Sequence, residues 1–213
     1  MISSRRHLPI LVAVACLAGH AQENTVTQEA GRVEVRLQVP EARVKHALSL
    51  SEIQRLPGVQ NSAVGFTQMT LEVWTRLGTG MKPRPDGTAN LWLESVEVQV
   101  GYSKVTIFIP SEYSEGSCLY GAVLEHEREH VTADRTVLGD YAERLRELLR
   151  KVEWPSPAKP LTGFSEAQGK QRLEEALAKV LRPSLAELKK KRDRVRDTLD
   201  RRKDYEAARR RCR

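Results

Sequence analysis

The sequence predicts an α+β fold, in which a small antiparallel β-sheet is followed by one long helix and then by a C-terminal helical hairpin. Three observations carry this reading. Residues 33–39 alternate apolar and polar side chains, and further alternating runs follow at hairpin spacing as far as Ile109. From Leu119 to Leu149 the apolar residues recur instead every three or four positions, the period of a helix face. A second helical pattern rich in Lys and Arg lies beyond Phe164.

The elements follow in order. Arg5, Arg6 and His7 precede an apolar run from Leu8 to Gly19, and Gly19-His20-Ala21 offers the small residues that a signal peptidase reads, so residues 1–21 read as an export signal. That run is too short for a membrane span, which needs about 20 apolar residues. A lipid attachment at Cys16 and a twin-arginine route through Arg5-Arg6 compete with simple cleavage before Gln22. The mature chain is expected to be periplasmic or secreted, with no transmembrane span.

Residues 22–31 have no period and read as an irregular lead-in. Val33, Val35, Leu37 and Val39 then face one way and Arg32, Glu34, Arg36 and Gln38 the other, a half-buried strand that Pro40 ends. Ser49 to Leu56 reads as a short helix closed by Pro57-Gly58. A second strand over 66–77 turns Met69, Leu71, Val73 and Leu77 inward and leaves Trp74 among polar neighbours. Gly78 to Gly87 reads as a loop or hairpin turn. The third strand, Ala89 to Val100, changes apolar phase between Leu93 and Val96, which calls for a β-bulge near Glu94-Ser95. Gly101 to Ser103 reads as a turn and Val105 to Ile109 as a fourth strand.

Ser117 is the expected N-cap of the long helix, which runs to Val152. Pro155 to Pro160 reads as a turn, and the apolar residues from Leu173 to Leu199 as one or two helices broken at Pro183, returning antiparallel to the long helix. The expected organisation is a signal over 1–21, an α+β domain over 22–153, and a basic helical hairpin over 154–213 packed on the long helix.

Removing residues 1–21 takes away Arg5, Arg6 and Cys16 and no acid, so the formal charge falls from +7 to +5. Residues 182–213 hold 14 basic and 6 acidic side chains, a local +8, which leaves residues 22–181 at −3. Such a segment either solvates a helix face, its acids interspersed at helical spacing, or binds an anionic envelope surface. No Gly-rich phosphate loop is present, and nucleic acid is not an expected partner. Cys118 and Cys212 are the pair left in the exported chain, and an oxidising compartment favours a disulfide between them over two free thiols.

One pattern carries specific chemistry. His126 and His130 are separated by one helical turn, which places both imidazoles on one face where they can converge on a single ion. Glu127 lies next to His126 and can act as general base toward an attacking water. A catalytic zinc takes three protein ligands, and the third is open: Asp134, four residues beyond His130, an acid or His46 brought in from elsewhere, or none. On a straight helix Asp134 is better placed to accept a hydrogen bond from His130 than to ligate. Tyr113 and Tyr120, flanking the helix start, are candidate hydrogen-bond donors to a tetrahedral intermediate.

The segment Ser117-Cys-Leu-Tyr-Gly-Ala-Val-Leu-Glu-His-Glu-Arg-Glu-His-Val131 resembles the active-site helix of zincin metallopeptidases. More narrowly it is similar to bacterial secreted zinc-dependent peptidases in which a short β-rich region precedes a long motif-bearing helix. The Asp200-to-Tyr205 segment followed by Cys212 resembles the tail of such proteins. The resemblance covers residues 90–213 and implies a peptidase, gluzincin-like or related, with Zn²⁺ as cofactor, His126 and His130 as ligands, Glu127 as base, and a peptide or protein as substrate. The competing expectation is a non-catalytic envelope protein with a structural or vestigial metal site that acts through its basic helices.

Overall fold

The computed structural model describes residues 31–59, 63–201, 210 and 212. The export signal expected over residues 1–21, with the processing alternatives at Cys16 and at Arg5-Arg6, lies outside them, as does most of the irregular lead-in. The chain is α+β. Strands β1 (Arg32–Gln38), β2 (Arg43–Lys45), β3 (Phe66–Pro83), β4 (Ala89–Phe108) and β5 (Leu161–Phe164) form one sheet. With it go a short helix α1 (Leu50–Gln54) and two long helices, α2 (Cys118–Arg150) and α3 (Glu166–Asp200). The inward side chains of β4, from Leu93 to Ile107, share a single core with Val131, Leu138 and Leu145 of α2 and Leu173, Leu177 and Leu188 of α3.

Strand β4 is the spine. Along one side it pairs with β3 over its whole length, and along the other it meets β5 at Ala89 and Leu91, β1 from Ser95 to Gly101 and β2 from Thr106 to Phe108. The sheet is mixed, which corrects the antiparallel expectation: β1 and β2 run parallel to β4, and only β3 and β5 run against it. Alternation tells which side chains face the core and nothing about the direction of the neighbour. Between β1 and β4 lie β2, α1 and β3, ample chain for the crossover that a parallel pair requires.

The expected bulge is present. Ser95 pairs with Gly78 and Leu93 with Thr79, so Glu94 is the extra residue. The expected turn at Gly101–Ser103 is a second bulge instead, since Tyr102 pairs with Leu71 and Lys104 with Thr70, leaving Ser103 unpaired. The third and fourth strands are therefore one. Gly101 is needed for a different reason, because a Cβ there would run into the Gln38 carbonyl of β1. The loop expected over 78–87 shrinks likewise, with β3 continuing to Pro83 and the reversal confined to Arg84–Thr88, where Asp86 accepts from the Thr88 amide.

Ser117 caps α2 by accepting from the Tyr120 amide, as expected, and the buried stripe of α2 runs through Val123, Glu127, Val131, Asp134, Leu138, Tyr141, Leu145 and Leu149. Among the described residues the C-terminal segment is a single helix and not a hairpin. Residues 166–200 make one helix with Pro183 inside it. A mid-helix proline costs about 3 kcal/mol. Packing on both sides of it offsets that, through buried Leu181 and Leu188 and through Ser184, which bonds Tyr141 Oη at 3.1 Å. Helix α3 runs antiparallel to α2, as the successive pairs Arg144–Glu187, Asp140–Lys191, Asp134–Arg192 and His130–Asp200 establish. Cys118 and Cys212 form a disulfide with Cα atoms 5.4 Å apart, so the end of the chain is tied to the start of the motif helix. Among the described residues no helix is long and apolar enough to cross a membrane.

Candidate metal centre

The site is assembled where α2 meets the last turn of α3. One turn of α2 separates His126 from His130 and brings their Nε2 atoms to 3.2 Å, with the rings nearly perpendicular. Asp200, the last residue of α3, sets Oδ1 at 3.0 Å from His130 Nε2 and at 3.8 Å from His126 Nε2. Three donor atoms thus form a triangle with sides of 3.2, 3.0 and 3.8 Å. Around a tetrahedral zinc with bonds of about 2.05 Å, two ligand atoms stand about 3.3 to 3.4 Å apart. The triangle matches that spacing, and two imidazoles with one carboxylate are a donor set suited to zinc.

The histidines and Asp200 are electrostatically coupled. The hydrogen bond to Asp200 raises the pKa of His126 above the ordinary histidine value, against the opposing effect of burial and with help from the Glu127 charge. Burial alone would raise Asp200, yet the hydrogen bonds from His126 and His130 outweigh it and hold this carboxyl well below the usual range.

Glu127 lies in the buried stripe of α2 with 4% of its surface exposed. Thr67 Oγ1, on the first turn of chain in β3, donates to its Oε2 at 2.7 Å. Burial raises the Glu127 pKa, and the Thr67 hydrogen bond and the two histidines only partly counter it. Gly65 permits this approach, since a Cβ there would come within 2.5 Å of Val123 Cγ1 and 2.9 Å of Glu127 Oε1. Gly65, Thr67, Glu127, both histidines and Asp200 border one cavity of about 220 Å³.

Asp134 is neither a ligand nor a partner of His130. It accepts from Tyr102 Oη of β4 at 2.5 Å and takes both Nε and Nη2 of Arg192, at 3.0 and 2.7 Å. Burial, then the hydrogen bond to Asp134, push the Tyr102 phenol far up, so it stays a neutral donor. His46 does not join the site either; it packs edge-on against Tyr120 and lies 3.7 Å from Glu115. Neither Tyr113 nor Tyr120 is among the residues bordering the cavity, whereas Arg196 is.

Asp200 is the candidate ligand that sequence reasoning missed, and a signal for it exists. Cys118 lies 12 residues before His130 and Cys212 lies 12 residues after Asp200. Two antiparallel segments tied at the cysteines would bring those two residues level. Thr67 and Gly65 had no signal in the sequence, because their role depends on which strand crosses the helix. No family model, curated protein or solved structure matches this chain at a significant level.

Proposed function

We propose that this protein is an exported zinc-dependent peptidase of the zincin type, with His126, His130 and Asp200 as the metal ligands and Glu127 as the general base. The observation that carries the proposal is the convergence of the three donor atoms at tetrahedral spacing beside a buried carboxylate in one cavity. The disulfide between Cys118 and Cys212 supports an oxidising compartment.

When bound, the metal supplies Lewis acidity toward a water and a substrate carbonyl. The chain supplies the rest. Thr67 occupies Oε2 of Glu127, so Oε1 is the oxygen left to take the proton of the attacking water and to return it to the leaving amine. Burial raises the affinity of Glu127 for that proton, which suits a group that must accept it and then give it back. Strand β3 supports the binding of an extended peptide. It has no second neighbour among the described strands, and its first residues border the cavity, so its free edge can pair with a substrate main chain. The strand immediately before the motif helix, the end of β4, is paired on both sides and has no such edge.

Glu127→Gln separates this reading from the non-catalytic one. Zinc content and thermal stability should hardly change, and hydrolysis of an unfolded protein substrate should fall at least about a hundredfold. Unchanged hydrolysis in the zinc-replete variant would remove Glu127 from its role. Absence of zinc-dependent hydrolysis in the wild type would favour a structural metal.

A further inference from the structure

We propose that Arg196 determines specificity at this cavity, and that the site takes substrates carrying a carboxylate beside the group presented to His126, His130 and Asp200. The proposal rests on the peptidase reading above and names its substrate class.

Arg192, Arg196 and Asp200 follow one another at four-residue intervals along α3 and so share the face turned toward α2. The first and third of these are committed. Arg192 is paired with the Asp134 carboxylate through Nε and Nη2, and Asp200 is held by the histidine pair. Arg196 stands between them on the cavity border, and among the described residues it makes neither an ion pair nor a hydrogen bond. The acids on the cavity border are engaged elsewhere, Asp197 with Arg201 at 3.8 Å, Glu127 with Thr67 and Asp200 with the histidines. The cavity border also offers Val59, Val64, Phe66 and Met69, which are apolar.

The cavity therefore presents candidate ligand atoms for a metal, apolar side chains and one cation with no counter-charge among the described residues. A guanidinium matches a carboxylate in a two-bond fork, and the pairing is stronger where apolar groups exclude water. The fitting ligand has an anionic group next to the one that meets the metal. A peptide offers this either as an Asp or Glu side chain or as the C-terminal carboxylate.

The test uses the zinc-loaded mature protein and three metal-chelating probes: the succinyl hydroxamate of leucine amide, that of leucine with its free carboxylate, and that of glutamate amide. Titration calorimetry measures each against wild type and Arg196→Gln, a change at an exposed position. The expected result is about tenfold tighter binding of at least one carboxylate probe than of leucine amide. Preference for the free acid assigns the terminal carboxylate, and preference for glutamate amide the side chain. In Arg196→Gln that preference should vanish while leucine amide binds as before. Equal binding of all three to wild type would overturn the proposal and leave the metal site standing, as would a preference that survives in Arg196→Gln or an equal weakening of all three. If no hydroxamate binds the zinc-loaded protein, the peptidase reading fails and the proposal falls with it.

Discussion

Glu127 sits in the apolar stripe of α2 between Val123 and Val131, and the Thr67 hydroxyl donates a hydrogen bond to it across the fold. A carboxylate buried in this way is costly unless a donor compensates it. Replacing Thr67 by Val keeps the shape and removes the donor, so stability should fall by about 1 to 3 kcal/mol, measured by denaturant unfolding, with zinc content unchanged. Asp134 and Asp200 show the same logic with opposite outcomes. Asp134→Ala leaves Arg192 buried without its carboxylate and should cost about 3 to 5 kcal/mol while the folded fraction still binds zinc. A variant of unchanged stability, or one that folds and has lost the metal, would contradict these roles. His126, Glu127 and His130 were legible because their arrangement is fixed within one helical turn. Asp134 misled because it is close in sequence, and Asp200 escaped because its neighbours are set by tertiary packing.

At the scale of elements, α3 delivers the proposed third ligand from its last residue, where a helix would fray if nothing held it. The Cys118–Cys212 bridge and the Arg192–Asp134 pair hold it on either side. Replacing both cysteines by Ser should therefore lower stability by about 2 to 5 kcal/mol and weaken zinc binding as well, which competition with a chelator would read. Stability lost with zinc affinity intact would mean that Asp200 stays in place without the bridge. The helical segments, the Ser117 cap and the bulge at Glu94 could be read from the chain because period, N-cap chemistry and a phase change are local signals. Strand β2 and strand β5 could not. The former is three exposed residues and the latter four, too short for alternation to register. Pro183 and Gly101 were read as breaks, whereas packing across the proline and the close approach of β1 override those propensities.

At the scale of the molecule, the sheet serves to bring the start of β3 across α2, and the antiparallel return of α3 closes the cavity from the other side. The α+β class was legible from the two periods in the sequence. The parallel placement of β1 and β2 was not, since no local pattern encodes it. The central claim is that α2 and α3 together make one metal site with Asp200 as its third ligand. The direct measurement is metal content, by mass spectrometry of the native protein purified without chelators from an oxidising compartment, for wild type and Asp200→Ala. The account predicts about one zinc per wild-type chain and its loss in Asp200→Ala with the fold retained. Wild type without zinc, or Asp200→Ala holding it as tightly as wild type, would contradict it.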